Sequence, residues 1–250
     1  DPELSLDYYR KDGYHPYTMK VYLLTLLNSN FEEWHEKFPD KDINEFPFSV
    51  DKMSQSGALF DKDKLHNICK NELSKLSEDE LYDFLYDWAK ENAPENVDMW
   101  FDDKEKMLQI LRLYMGVGAK RRRKDLMYAK QIFELISYFF DGASNDERDE
   151  FRLDEDMVSD ILKTYLSKYD HNDDNSAWFN KLKEIADEHG FASDMKAYKA
   201  NPESFKGNVS DIAEVVRIAV TGRANTPDLW TIVHIMGEEQ MKERIQKYIK

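Results

Sequence analysis

The feature that most constrains this chain is a succession of short segments whose apolar residues recur every three or four positions, each with its own start or stop. Residues 209–250 show it best. Ile212, Val215, Val216 and Ala219 fall at helical spacing, so 209–220 reads as a helix with one buried stripe. Gly222 then reads as its stop, because glycine enters the left-handed region without steric cost. Thr226-Pro227-Asp228 reads as the next start: a capping hydroxyl, a proline at the first helical position and an acid in the first turn. A second helix carries Leu229, Ile232, Val233 and Met236 to Gly237, and a third runs over 238–248. The loop between the first two bears Arg217, Arg223 and the N–H groups of a helix start. Such a loop is suited to phosphates or base edges. The plain alternative is a helical hairpin with a solvated turn.

The same pattern runs through the rest. Helices are expected over 4–9, 16–27, 62–76, 104–115, 125–140, 158–169 and 177–189, with Gly13 and Gly190 as breaks. Ser77-Glu78-Asp79-Glu80 has the form of a capping box, followed by Leu81, Phe84, Leu85 and Trp88 on one face. Residues 31–47 mix aromatics, acids and prolines and read as a turn-rich connection, with a short strand expected at 46–50. Pro94 marks a linker over 93–97, and the acidic Gly/Ser/Asn stretch 141–149 marks a boundary. The expectation is an all-α chain of helical bundles in series, divided at 1–76, 77–146 and 147–250.

Charge says more locally than in total. The net charge of −15 argues against an indiscriminate nucleic-acid binder. Residues 111–130, however, carry seven Lys/Arg against one acid, and 141–160 carry nine acids against two Arg. The one cysteine, Cys69, excludes an internal disulfide framework and fits a reducing compartment. No apolar run has the length of a membrane span, and no signal peptide opens the chain. It begins Asp1-Pro2-Glu3 without an initiator methionine, which suggests a fragment.

Most motif-like stretches fail on their chemistry. Gly116-Val117-Gly118-Ala119-Lys120 lacks the closing Gly-Lys-Ser/Thr of a phosphate loop and follows no strand. The stretch from Asp170 to Asn175 opens like a calcium loop, but puts Asn175 at the turn glycine and Lys181 at the bidentate glutamate. His66 and Cys69 are a lone pair, and no serine, histidine and acid group for nucleophilic catalysis. Lys120-Arg121-Arg122-Arg123-Lys124 is different. Five successive cations beside a single acid cannot all pair internally, and arginine forks onto phosphate or a guanine edge. The alternative there is a solvated basic patch.

RIAVTGRANTPDLW, a following helix ending in MGEE and the closing KERI resemble the C-terminal signature of bacterial-type glutamyl-tRNA synthetases. SVDKMSQSGALFDKDKL and the opening DPELSLDYYRKDGY resemble that family too, in its order, so the likeness covers nearly the whole chain. It implies that 1–76 contact the inner stem of the tRNA, and that 77–146 and 147–250 form a helical anticodon cage. By resemblance, Arg122 reads the third anticodon base, with Arg121 and Arg123 the alternatives in register. Arg217, Thr226, Pro227 and Leu229 match the family's other anticodon contacts. Pro227 and Leu229 would offer an apolar surface to a splayed base, as unpaired loop bases are read. Backbone contacts would fall to Lys120, Arg121, Arg123, Lys124 and Arg223.

The resemblance further implies a cytoplasmic parent enzyme that joins glutamate to tRNA(Glu) with ATP and magnesium, through a catalytic domain upstream of Asp1. Lys52-Met53-Ser54-Gln55-Ser56 resembles the ATP-holding loop of such enzymes. Its second lysine is replaced, though, and the family's true loop falls before Asp1. The chain itself is expected to bind tRNA, hold no cofactor or metal, engage neither DNA nor membrane, and be inactive alone. The rival readings are a helical protein-interaction module and a stand-alone RNA-binding paralogue without ligase activity.

Overall fold

The computed structural model describes residues 3, 5–53, 59–92, 97–140 and 148–250. The Ser54-Gln55-Ser56 part of the ATP-loop look-alike, residues 93–96 of the expected 93–97 linker and residues 141–147 of the expected 141–149 break lie outside them. Helices are the regular structure of the described residues, joined by turns and loops, and their only bridge is an isolated parallel pair between Ala192 and Asn208. Contacts divide the chain into two compact units, Asp1–Leu135 and Ile136–Lys250.

The many acids of the sequence have a local use. Asp61, Asp103, Asp154, Asp174, Asp194 and Asp228 each stand just before a helix and accept a backbone N–H of its first turn. Each such cap stabilises its helix by about 1 kcal/mol, and each carboxylate complements the positive end of the helix dipole. Part of the negative charge is therefore structural.

In the first unit, α1 (Leu6–Asp12) and α2 (Pro16–Leu27) lead to α3 (Phe31–Lys37), α4 (Lys62–Leu73), α5 (Glu78–Asn92) and α6 (Lys104–Met115). Helices α2 and α4 pack together, as do α5 and α6. Tyr9, Tyr14, Tyr22, Leu65 and Cys69 form one core, with Tyr128 stacked on Tyr14 at 4.6 Å between centroids. The expected capping box is present: Ser77 Oγ accepts from Glu80 N at 3.2 Å, and the Glu80 carboxylate accepts from Ser77 N at 2.8 Å.

Two expectations fail here. Residues 31–37 are helical rather than turn-rich, because Phe31 is fully buried against Phe46. No strand forms at 46–50; Phe48 N donates to Phe46 O at 2.7 Å, and Pro47 has no N–H to give a ladder.

The second unit is arranged around α11 (Val209–Thr221), which contacts α8 (Glu155–Lys168), α9 (Asn175–His189), α12 (Leu229–Met236) and α13 (Glu238–Gln246). The predicted stripe Ile212, Val215, Val216 and Ala219 is buried. Val209, Ile218, Val220 and Thr221 are buried as well, so the helix is covered on more sides than one stripe implies. A short helix, α10 (Met195–Ala200), was not foreseen.

Candidate nucleic-acid interface

The basic block lies in the first unit, on a loop and not at a helix start. Helix α6 ends at Met115, and the chain doubles back so that Arg123 N donates to Met115 O at 2.9 Å. Residues 122–127 take no regular structure, and α7 (Ala129–Ile136) begins four residues later than the expected 125. The reason is tertiary. Ala129 N donates to Gly13 O at 2.8 Å, which fixes where the helix can start. Gly13 itself sits at φ 83°, and a Cβ there would stand 2.4 Å from the Cβ of Ala129, so both its conformation and its space demand glycine. Leu126, buried, anchors the loop, and Gln131 clamps it by accepting from Met127 N at 3.1 Å and donating to Asp125 O at 3.0 Å.

The five cations then separate. Arg123 pairs with Asp125 at 2.6 Å, and Lys124 donates to Asn71 Oδ1 at 2.7 Å. Lys120, Arg121 and Arg122 are exposed and have no hydrogen-bond or ion-pair partner among the described residues, although Arg122 acts electrostatically on the Glu78 carboxylate. Three cations on a loop pinned at both ends make a surface ready for phosphate or a base edge.

The second site is the corner between α11 and α12, wholly within the second unit. Thr221 Oγ1 donates to Arg217 O at 2.7 Å and accepts from Arg223 N at 3.1 Å, closing the helix end. Gly222 follows at φ 74°, and the absence of a side chain leaves room for Arg148, whose Cγ would lie 3.3 Å from a Cβ there. Asp149 holds the turn: its N–H donates to Gly222 O at 2.9 Å and its carboxylate accepts from Ala224 N at 2.6 Å. Arg244 Nη1 donates to Val220 O at 2.8 Å, and the Arg223 guanidinium lies 5.7 Å from the centre of the Tyr138 ring.

Arg217 is half-buried under this corner. Its Nη1 donates to Ala224 O at 3.4 Å, while its Nε is buried without a hydrogen-bond partner. Burial pushes its pKa down, opposed by the nearby Glu214 and Asp228 carboxylates; an arginine keeps its charge at neutral pH all the same.

Helix α12 starts two residues later than expected. Asp228 is the cap, accepting from Thr231 N at 2.9 Å and Thr231 Oγ1 at 2.7 Å, whereas the Thr226 hydroxyl turns to Pro227 O at 3.0 Å. A carboxylate therefore occupies the helix start that was expected to meet phosphate, and cationic chemistry at this corner rests with the arginines. Pro227 and Leu229 are buried, Leu229 only 3% exposed, so their side chains do not form the open apolar surface that was expected.

The structure thus gathers Arg217, Arg223, Thr226, Pro227 and Leu229 at one corner and Lys120, Arg121, Arg122, Arg123 and Lys124 on one loop, in different units. Sequence reasoning missed Arg148, Asp149 and Arg244, because the Asp149–Ala224 bond spans 75 residues and has no local signal. The remaining look-alikes are structural. Lys52 ends an exposed turn of 3₁₀ helix. Asp170 accepts from Asn172 N at 2.9 Å, as in an Asx turn. Cys69 is buried against Thr18, its pKa pushed up to about 11 by burial. His66 pairs with the Tyr14 hydroxyl at 2.8 Å.

The described residues form an all-helical fold with an arginine-rich loop and an arginine-lined helix corner, chemistry suited to nucleic acid. The chain belongs to the anticodon binding domain family, whose model matches residues 80–249. Across its full length it is 51% identical to the glutamate–tRNA ligase of Acetivibrio thermocellus and 40% identical to that of Clostridium perfringens strain SM101, covering 45% and 46% of those proteins. A solved glutamate tRNA ligase from Elizabethkingia meningosepticum superimposes with a TM-score of 0.63 at 18% identity, over 96% of this chain and 42% of that one. That likeness is one of fold. The chain spans about half the length of the relatives it matches.

Proposed function

We propose that this chain is the tRNA-recognising part of a glutamate–tRNA ligase, with tRNA(Glu) as its partner. The observation that carries the reading is the set of unpaired cations Lys120, Arg121 and Arg122, which fall within the stretch that matches the anticodon binding family. On this reading Arg122 reads the third anticodon base, while Lys120 and Arg121 hold the backbone. Arg123 and Lys124 already have partners in the chain and serve mainly to set the loop. Arg217 with Thr226, Pro227 and Leu229 forms the second contact. Pro227 and Leu229 act there by supporting the corner, and Thr226 and Arg217 by touching RNA. Residues 1–76 serve the inner stem, and 77–146 and 147–250 the anticodon.

The parent protein, in this proposal, is a cytoplasmic enzyme that attaches glutamate to tRNA. ATP and magnesium act in a catalytic domain outside this chain. Among the described residues no three His, Cys, Asp or Glu side chains are grouped as a metal site, and no helix is long and apolar enough to cross a membrane. The comparisons give no support to a protein-interaction module.

The test compares two transcripts, tRNA(Glu) and a version altered only at the third anticodon base, on wild type and Arg122→Gln at one salt concentration. A base-reading Arg122 loses about 10- to 100-fold in affinity for tRNA(Glu), by analogy with bidentate base contacts in DNA. The altered tRNA loses much less. Equal losses for both remove the reading role from Arg122, and no binding of tRNA(Glu) by wild type overturns the proposal.

A further inference from the structure

The corner that carries Arg217 is not held in place by its own stretch of chain. Arg217 has one weak anchor, the 3.4 Å bond from Nη1 to Ala224 O, and a buried Nε without a hydrogen-bond partner. Glu214 and Asp228 attract it electrostatically, yet each is engaged elsewhere: Glu214 with Arg152 at 3.1 Å, and Asp228 with the start of α12. Ala224 O is thus the one hydrogen-bond acceptor of the guanidinium among the described residues. Ala224 in turn is fixed by a residue far away in sequence. Its N–H donates to the Asp149 carboxylate at 2.6 Å, a short, charge-assisted bond. Asp149 N donates to Gly222 O at 2.9 Å, so the same residue grips the turn from both sides of Arg223. Arg148 lies against Gly222 and bonds to the Tyr248 hydroxyl, which ties this grip to the end of the second unit.

We infer that Asp149 is a positioning residue for RNA recognition, setting the place of the 222–226 loop and through it the guanidinium of Arg217. The inference rests on the proposal that Arg217 meets tRNA. It accounts for an exposed acid beside an arginine-lined RNA site, where an idle carboxylate would only repel phosphate. Here the charge faces a backbone N–H, and its removal costs the geometry of the cationic group.

The experiment uses the 250-residue chain and a tRNA(Glu) transcript, with binding and unfolding temperature measured for wild type, Asp149→Ala, Asp149→Asn, Arg217→Ala and the Asp149→Ala/Arg217→Ala double variant. Asp149→Ala is expected to weaken binding on the order of tenfold, within the range of coupled neighbours. Asp149→Asn keeps an oxygen for Ala224 N and is expected to bind at least as well as wild type, up to about fivefold tighter at low salt because a negative charge is gone. The double variant is expected to lose less than the product of the two single losses, because both changes disturb the Arg217 contact.

Losses that multiply in the double variant, or an Asn variant as weak as the Ala one, overturn the positioning role. Should Asp149→Ala fail to fold, the Asn variant alone decides, since binding well below wild type contradicts a role that needs only an acceptor. A normal Asp149→Ala beside a weakened Arg217→Ala sinks this inference and leaves the proposed function standing. An Arg217→Ala chain that binds as wild type removes both.

Discussion

Arg217 and Leu229 sit within one corner and yet respond to different forces. The stem of Arg217 is half-buried, and one of its nitrogens is buried with no partner, so the folded state gains little from the guanidinium. Arg217→Ala is expected to weaken tRNA binding while changing stability by about 1 kcal/mol or less, read as an unfolding temperature within about 4 °C of wild type. Leu229 is a core residue in the first turn of α12. Leu229→Ala is expected to cost about 2–5 kcal/mol, the transfer term plus the cavity it leaves. Thermal melts of the two variants side by side check this, and a Leu229→Ala chain of normal stability would mean the side chain is free for a base. Sequence spacing put both residues near the turn correctly. It could not assign their burial, which depends on how α11, α12 and α13 pack on one another and on the hold of Arg148 and Asp149 on the turn.

The helix start at Asp228 carries a consequence for RNA binding. A carboxylate at an N-cap stabilises the helix through a hydrogen bond that asparagine makes equally well. Its charge, however, stands near Arg217 and lowers the attraction of this corner for phosphate. Asp228→Asn loses only the charge–dipole part of the cap, so it is expected to lower the unfolding temperature by no more than about 4 °C and to tighten tRNA binding roughly two- to fivefold at low salt, less as salt screens the charge. Weaker binding of this variant would show that the carboxylate itself contacts RNA. The sequence announced a start here, and Thr-Pro-Asp offered two capping residues. Thr226 lost because its hydroxyl bonds to Pro227 O, and Asp228 won by reaching Thr231. The start of α7 was misplaced for a comparable reason, since Gly13, more than a hundred residues upstream, holds Ala129.

Across the whole molecule a net charge of −15 coexists with the proposed site for a polyanion. Charges farther apart than about 10 Å are screened at ordinary salt, so the unpaired cations act locally against that background. Each phosphate neutralised on a single strand contributes about 0.7 to the slope of log K against log salt. Lys120 and Arg121 together then contribute roughly 1.4, and replacing both with alanine should flatten the slope by about that amount. A slope that does not change would mean that neither residue meets a phosphate. Salt titrations of the wild-type and doubly substituted chains supply the measurement.

The sequence by itself determined the class of fold and most of its elements. Periodicity, aspartate caps and glycine stops act within a few residues of one another, and the capping box at Ser77, the stripe of α11 and the stop at Gly222 follow from such local forces. It also determined that residues 120–124 hold more positive charge than their neighbours can neutralise. Only the tertiary structure decided which of those cations remain unpaired, because Asn71 and the folded-back loop lie outside any sequence window. The tertiary structure also decided that Pro227 and Leu229 face inward and that Asp149 secures a turn 75 residues away. Burial and long-range hydrogen bonds depend on what the rest of the chain brings to a residue, and a short segment carries no record of that.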